Sequence, residues 1–167
     1  QKKVNYALRA DMTKDEFIKA VTDGLVEPPQ YFPQNVLMNL KGEGASIDDI
    51  LARGKQPLTA HNFELVWNSL EALVLDTRSK EAFAEEHIPG SIFIGIDDNF
   101  APWVGTLITD LQQKILFIAE EGREEEVIVR LARVGYDHPV GYLDGGIDAW
   151  KEAGFPIYSL KEISAED

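Results

Sequence analysis

The chain has 167 residues, 44% of them hydrophobic, 10% aromatic and 27% charged, which is the make-up of a folded domain with an extension and excludes a disordered or fibrous chain. Its 16 Lys and Arg face 29 Asp and Glu for a net charge of −13, and its basic residues nowhere cluster, so a sequence-independent grip on nucleic acid or anionic lipid is excluded. The complete lack of cysteine removes disulfides, thiolate metal sites and any thiolate nucleophile. No apolar run approaches the roughly 20 residues of a bilayer span. The opening QKKVNYALRADMTK lacks a signal peptide's apolar centre, so no membrane association and a cytoplasmic location are expected. Gln1 stands at what reads as mid-helix, which leads to the expectation of a piece of a longer polypeptide.

Residues 1–56 carry Pro28, Pro29, Pro33, Gly24, Gly42, Gly44 and Gly54, and read as a linker or arm. Two short helices are expected in it. Thr13 with Glu16 has capping-box spacing ahead of Phe17, Ile18 and Val21, and Ser46 precedes Ile47, Ile50 and Leu51 before Gly54 stops the pattern. Between them the prolines forbid regular helix, and Tyr31, Phe32 and Leu37 fit an extended segment laid over an apolar surface.

Residues 57–160 read as one α/β domain, and 161–167 as an acidic tail or linker. Apolar runs at 73–75, 92–96, 115–118 and 140–143 have the character of buried strands. Helical patterns fall between and after them: Thr59 caps Phe63, Val66, Trp67 and Leu70; Val127, Leu131 and Val134 follow Gly122; Ile147 and Trp150 follow Gly145 and Gly146. Such alternation specifies a central, mostly parallel sheet with helices on both faces, a three-layer α/β/α sandwich. In that architecture ligands meet the carboxyl ends of strands, which directs attention to the connections after Asp76, Gly95, Ile118 and Leu143. In the third of these, the strand ILFI passes through AEEG into a helix beginning near Arg123, a geometry that aims backbone N–H groups at an anion or a low-pKa nucleophile.

The stretch VLDTRSKEAFAEEHIPGSIFIGI, residues 74–96, resembles the first half of a rhodanese-like domain, and YLDGGIDAWKEAGFP, residues 142–156, resembles its ending. The matching positions are Asp76 and Arg78, Glu81 and Phe83, His87-Ile88-Pro89-Gly90-Ser91, then Gly145, Gly146, Trp150, Gly154 and Pro156. The resemblance implies a loop Cys-x-x-Gly-x-Arg that carries a persulfide in active members. Aligned on Gly122, that cysteine falls on Ala119 and the arginine on Glu124, with Arg123 one place away. The implied site, Ala119, Glu120, Glu121, Gly122, Arg123 and Glu124, is therefore degenerate, with no serine, threonine or histidine to replace the nucleophile. Charge argues the same way: Glu120, Glu121, Glu124, Glu125 and Glu126 crowd the helix start, repel anions, and complement the positive end of the helix dipole.

Other residues have plainer readings. His61, His87 and His138 lack metal spacing, and His87 sits in the family's structural turn. Asp76 and Arg78 can be read as an acid and a clamp, or as an ion pair that fixes the fold. Trp67, Trp103 and Trp150 fall in helical patterns that favour the core, whereas Phe100 and Trp103, within residues 100–104, also stand where a segment overhangs the crevice.

Residues 5–42 are similar to the C-terminal tail of metallo-β-lactamase-fold hydrolases of the persulfide dioxygenase and glyoxalase II-like group, through Asn5, Glu16-Phe17, Pro28-Pro29, Asn35, Asn39 and Gly42. The two resemblances together imply a fusion: a Zn- or Fe-dependent domain upstream holding the metal, no metal or cofactor in this chain, and room for a second rhodanese-like domain downstream. The expected role is a catalytically inactive module, structural or regulatory, of a sulfur-handling enzyme. Two alternatives stay open: a domain that binds a small ligand or partner peptide with the acidic rim, and an active sulfurtransferase or phosphatase with a nucleophile other than cysteine.

Overall fold

A computed structural model describes residues 13–16 and 45–160. The expected helical face of Phe17, Ile18 and Val21, the proline segment with Tyr31, Phe32 and Leu37, the tail motif from Asn5 to Gly42 and the acidic stretch 161–167 lie outside the described residues, apart from Thr13 and Glu16. Those two form the anticipated capping box: the Thr13 N–H donates to Glu16 Oε2 at 2.8 Å and the Glu16 N–H to Thr13 Oγ1 at 3.3 Å.

Along the chain follow α1 (Ile47–Gly54), β1 (Pro57–Leu58), α2 (Ala60–Leu70), β2 (Leu73–Asp76), α3 (Lys80–Glu85), β3 (Ile92–Phe93), α4 (Phe100–Leu107), β4 (Ile115–Ile118), α5 (Glu124–Arg133), β5 (Pro139–Leu143) and α6 (Gly146–Glu152). Side-chain oxygens of Ser46, Thr59 and Ser79 accept the N–H groups of Asp48, Asn62 and Ala82 at 3.2, 3.3 and 3.2 Å, so α1, α2 and α3 each begin where a capping residue satisfies an otherwise orphaned donor.

The five strands pair in the order β1-β5-β4-β2-β3, every neighbouring pair parallel. Alternation along the strands divides two cores. Leu75, Ile115 and Phe117 point to one face with Ile50 of α1, Phe100 and Val104 of α4, and Val127, Ile128 and Leu131 of α5. Val74, Leu116, Ile118 and Leu143 point to the other with Phe63 of α2 and Ile147 and Trp150 of α6. This is the three-layer α/β/α sandwich that the alternating pattern specifies.

Four local readings change. α1, grouped by composition with the arm, packs on α5 and β5 through buried Ile50, so the packed unit begins before residue 57. Gly54, read as a helix stop, is the buried last residue of α1, and a Cβ there would lie 2.8 Å from Pro139 Cγ and 3.0 Å from Ile128 Cδ1; it is small because two elements approach closely. Trp103, in a pattern that favoured the core, is 49% exposed on α4. The run 92–96 also pairs as a strand only at Ile92 and Phe93, after which the Ile94 and Ile96 N–H groups donate to Asp76 and Thr77 carbonyls at 3.0 and 3.1 Å while the chain turns.

Candidate functional site

The carboxyl ends of β2 and β4 lie side by side, with Asp76 paired to Ile118, and the chain leaves them toward opposite faces: from β2 it reaches Ile88 in the second core, from β4 it reaches Val127 in the first. Such a divergence opens a crevice between the two connections. Its base is rigid, because the Thr77 N–H and Oγ1 both donate to the Ile118 carbonyl, at 2.9 and 2.8 Å.

On the β2 side the Asp76 carboxylate is fully buried and gripped by Arg78 through Nε at 3.0 Å and a terminal nitrogen at 2.8 Å; that nitrogen also donates to the Glu86 carbonyl at 2.7 Å. The Arg78 N–H donates to Asp76 Oδ1 at 3.1 Å. Two of the three guanidinium nitrogens are spent on chain atoms, the geometry of a brace between β2 and the end of α3. His87 is also committed locally: its Nδ1 lies 2.9 Å from the Phe83 carbonyl, which can only accept, so this nitrogen carries the proton, and the ring stacks on Phe83 at 4.2 Å.

On the β4 side, Ala119 is half-buried against the first core, while Glu120 and Glu121 are exposed. Gly122 adopts φ +83°, a left-handed turn with nothing within 4 Å of where a Cβ would point, and the Arg123 N–H closes the turn onto the Glu120 carbonyl at 3.0 Å. The Gly122 N–H does not point into empty space. It donates to Glu124 Oε1 at 3.2 Å, so a donor on offer to an incoming anion already holds one of the chain's own carboxylates.

Arg123 organises the rim. Its terminal nitrogens grip both oxygens of Asp97 at 2.7 Å, its Nε meets Glu126 Oε2 at 2.9 Å, and Glu120 stands 3.7 Å away. Hydrogen bonding to Arg123 holds the Asp97 and Glu126 carboxyls below their ordinary range and raises the guanidinium above its own. Arg130 completes the cluster, meeting Glu126 Oε1 at 2.8 Å and donating to the Ile96 carbonyl, and Lys55 pairs with Glu125 at 2.9 Å. Of five glutamates read from the sequence as an anion-repelling rim, Glu120, Glu125 and Glu126 are thus in ion pairs. Asp97, Lys55 and Arg130 were not singled out in the sequence, and no periodicity marks them.

Phe100 is buried in the first core and does not overhang the crevice, whereas Trp103, one helical turn on, lines an open groove with Phe93, Gly95, Asp97, Asp98 and Leu107. Trp67 packs at the edge of the second core, and Trp150, buried within it, donates its Nε1–H to the Pro156 carbonyl at 3.0 Å. His61 lies beside Phe155 at 5.2 Å and His138 Nε2 is 2.9 Å from Gln112 Oε1, so the three histidines stay apart. Among the described residues no group of three or more His, Cys, Asp or Glu side chains is placed to hold a metal ion, and no helix is long and apolar enough to cross a membrane.

A five-stranded parallel sheet with a strand-to-helix loop over its β2/β4 crevice defines an α/β domain of the kind that binds at strand ends. The family profile of the Rhodanese-like domain matches residues 62–153, more than half of the chain, and the protein belongs to that family. No curated protein matches it. Among solved structures, a metallo-beta-lactamase from Staphylococcus aureus is similar at 27% identity and a TM-score of 0.62, over 85% of this chain and 38% of that one. The rhodanese-like domain of the Alr3790 protein from Anabaena sp. shares the fold at 22% identity and a TM-score of 0.54, over 68% of this chain and 89% of that domain. A thiosulfate sulfurtransferase from Pseudomonas aeruginosa does so at 20% identity and 0.51, over 83% of this chain and 25% of that one. Having no cysteine, the chain lacks the usual rhodanese catalytic residue.

Proposed function

We propose that this chain is a catalytically silent rhodanese-like module, structural or regulatory, of a sulfur-handling metallo-β-lactamase-fold enzyme, and that the loop 119–124 is the remnant of a sulfur-transfer site. The observation that carries the reading is Ala119 at the end of β4, where a methyl group stands in the loop that would present the nucleophile. The carboxylate of Glu124 on the Gly122 N–H supports it, since a sulfur oxyanion would have to displace that group. The partner domain is placed upstream in the same polypeptide, with the catalytic metal held there; the metallo-beta-lactamase structure, which contains a stretch similar to most of this chain within a much longer one, supports that arrangement. A second, cysteine-bearing rhodanese-like domain downstream belongs to the same proposal.

Thiosulfate:cyanide sulfur transfer by the purified chain tests the silent loop. Thiocyanate formation equal to that of a heat-denatured control is expected, and turnover well above the control overturns the reading. The double variant Ala119→Cys, Glu124→Arg is expected to recover little activity until Glu120 and Glu121 are also changed to Gln, because exposed carboxylates still face the arriving anion.

A further inference from the structure

The groove beside α4 has a composition that the crevice reading does not use. Trp103 and Leu107 lie four residues apart on one face of α4, 49% and 46% exposed, opposite Phe93 at the end of β3. The open space between them is about 640 Å³, of the order a small organic molecule fills. Two carboxylates border it, and they differ. Asp97 gives both oxygens to Arg123, whereas the Asp98 carboxylate has no hydrogen bond or ion pair among the described residues.

Gly95 forms the floor on which this free charge and an aromatic edge converge. A Cβ at Gly95 would lie 2.6 Å from Asp98 Oδ2 and 3.2 Å from Phe93 Cζ, so only a residue without a side chain lets the carboxylate and the ring come over the same spot. An unpaired anion set against aromatic surface, with exposed apolar surface leading away from it, is complementary to one ligand class: a cation that also carries an apolar body. An organic anion would meet Asp97 and Asp98, and a hydrated metal ion would leave Trp103 and Leu107 unused.

We infer that the groove lined by Phe93, Gly95, Asp98, Trp103 and Leu107 binds a small amphipathic ammonium compound, its charged head beside Asp98 and its apolar body along Trp103 and Leu107. The inference goes beyond the silent-module reading, since the groove is the same whether or not the loop at 119–124 transfers sulfur.

The test titrates the whole chain with benzyltrimethylammonium, with phenylacetate as an anion carrying the same ring, and follows backbone amide shifts by NMR. Saturable shifts confined to residues 93–107 are expected with the cation in the millimolar range that one aromatic contact and one charge support, and none with phenylacetate. Asp98→Asn and Trp103→Ala, both at exposed positions and therefore folded, should each weaken binding by about fivefold or more. Gly95→Ala pushes against the mobile end of the Asp98 side chain and should weaken binding with little change in the unfolding midpoint. Absence of saturable shifts, equal response to phenylacetate, or unchanged affinity in both Asp98→Asn and Trp103→Ala overturns the inference.

Discussion

At the end of β2 and at the end of β4, an arginine grips an aspartate through two nitrogens at nearly the same distances, 2.8 and 3.0 Å for Arg78 on Asp76 and 2.7 Å twice for Arg123 on Asp97. Their surroundings have little in common. The Asp76 carboxylate is fully buried and the Arg78 side chain is 14% exposed, whereas Asp97 is 76% exposed on the rim. Hydrogen-bond length alone says little about what an ion pair holds together: at the end of β2 the arginine is indispensable because the buried Asp76 carboxylate has no water to fall back on, while at the rim solvent replaces whichever partner is removed.

Arg78→Met gives the largest expected effect, since it strands a buried charge. A loss of about 3–5 kcal/mol of unfolding free energy in urea is expected, and a loss under about 1 kcal/mol would break the comparison by showing that water reaches Asp76. Gly54→Ala supplies an uncharged reference for the buried end of the scale. The added methyl group meets Pro139 and Ile128 at 2.8 and 3.0 Å, and about 1–3 kcal/mol should be lost, read in the same urea titration, despite alanine's better helix propensity.

Arg123→Met should give the smallest effect, a slight fall in the urea midpoint that disappears in about 1 M NaCl, where charges are screened within ~3 Å. Its pH dependence sharpens the point. The ordinary values of Asp97 and Glu126 are 3.8 and 4.5, and both are depressed in the folded chain, so the stabilisation from Arg123 is complete above those values. It declines as the pH drops through them and is gone below the depressed folded values, so acid-unfolding curves of wild type and Arg123→Met should converge there. Curves separated by a constant gap down to the lowest pH would assign the effect to packing of the Arg123 stem.

What the sequence made legible was local. Ser46 and Thr59 mark helix starts because a capping side chain bonds two or three residues ahead, and Val127 with Leu131 marks a buried face because helical period is a property of neighbours. The family motifs located Asp76 and Arg78, which are two residues apart and bond directly. Long-range partnerships left no such trace: Asp97 and Arg123 are separated by 26 positions, and Lys55 and Glu125 by 70. Composition misled for α1, because the glycines and prolines before it gave the segment the look of a linker, although an amphipathic helix docks wherever a complementary apolar surface is offered. The edge strand β1 escaped notice for a related reason. It has two residues, begins with proline, and is a strand only through its pairing with β5, where the Tyr142 and Asp144 N–H groups reach the Gln56 and Leu58 carbonyls at 3.0 and 2.9 Å.

The bond from the Gly122 N–H to Glu124 changes what an anion from solution would experience at this loop. A tethered carboxylate two residues away acts as a resident competitor at an effective concentration on the order of millimolar or higher, and it never diffuses off. On the proposed reading, a sulfur oxyanion arriving at this loop would first have to displace a group made by the chain itself. Installing a thiol at position 119 would therefore add a reactive atom next to an occupied seat, and the seat has to be vacated before the chemistry can begin.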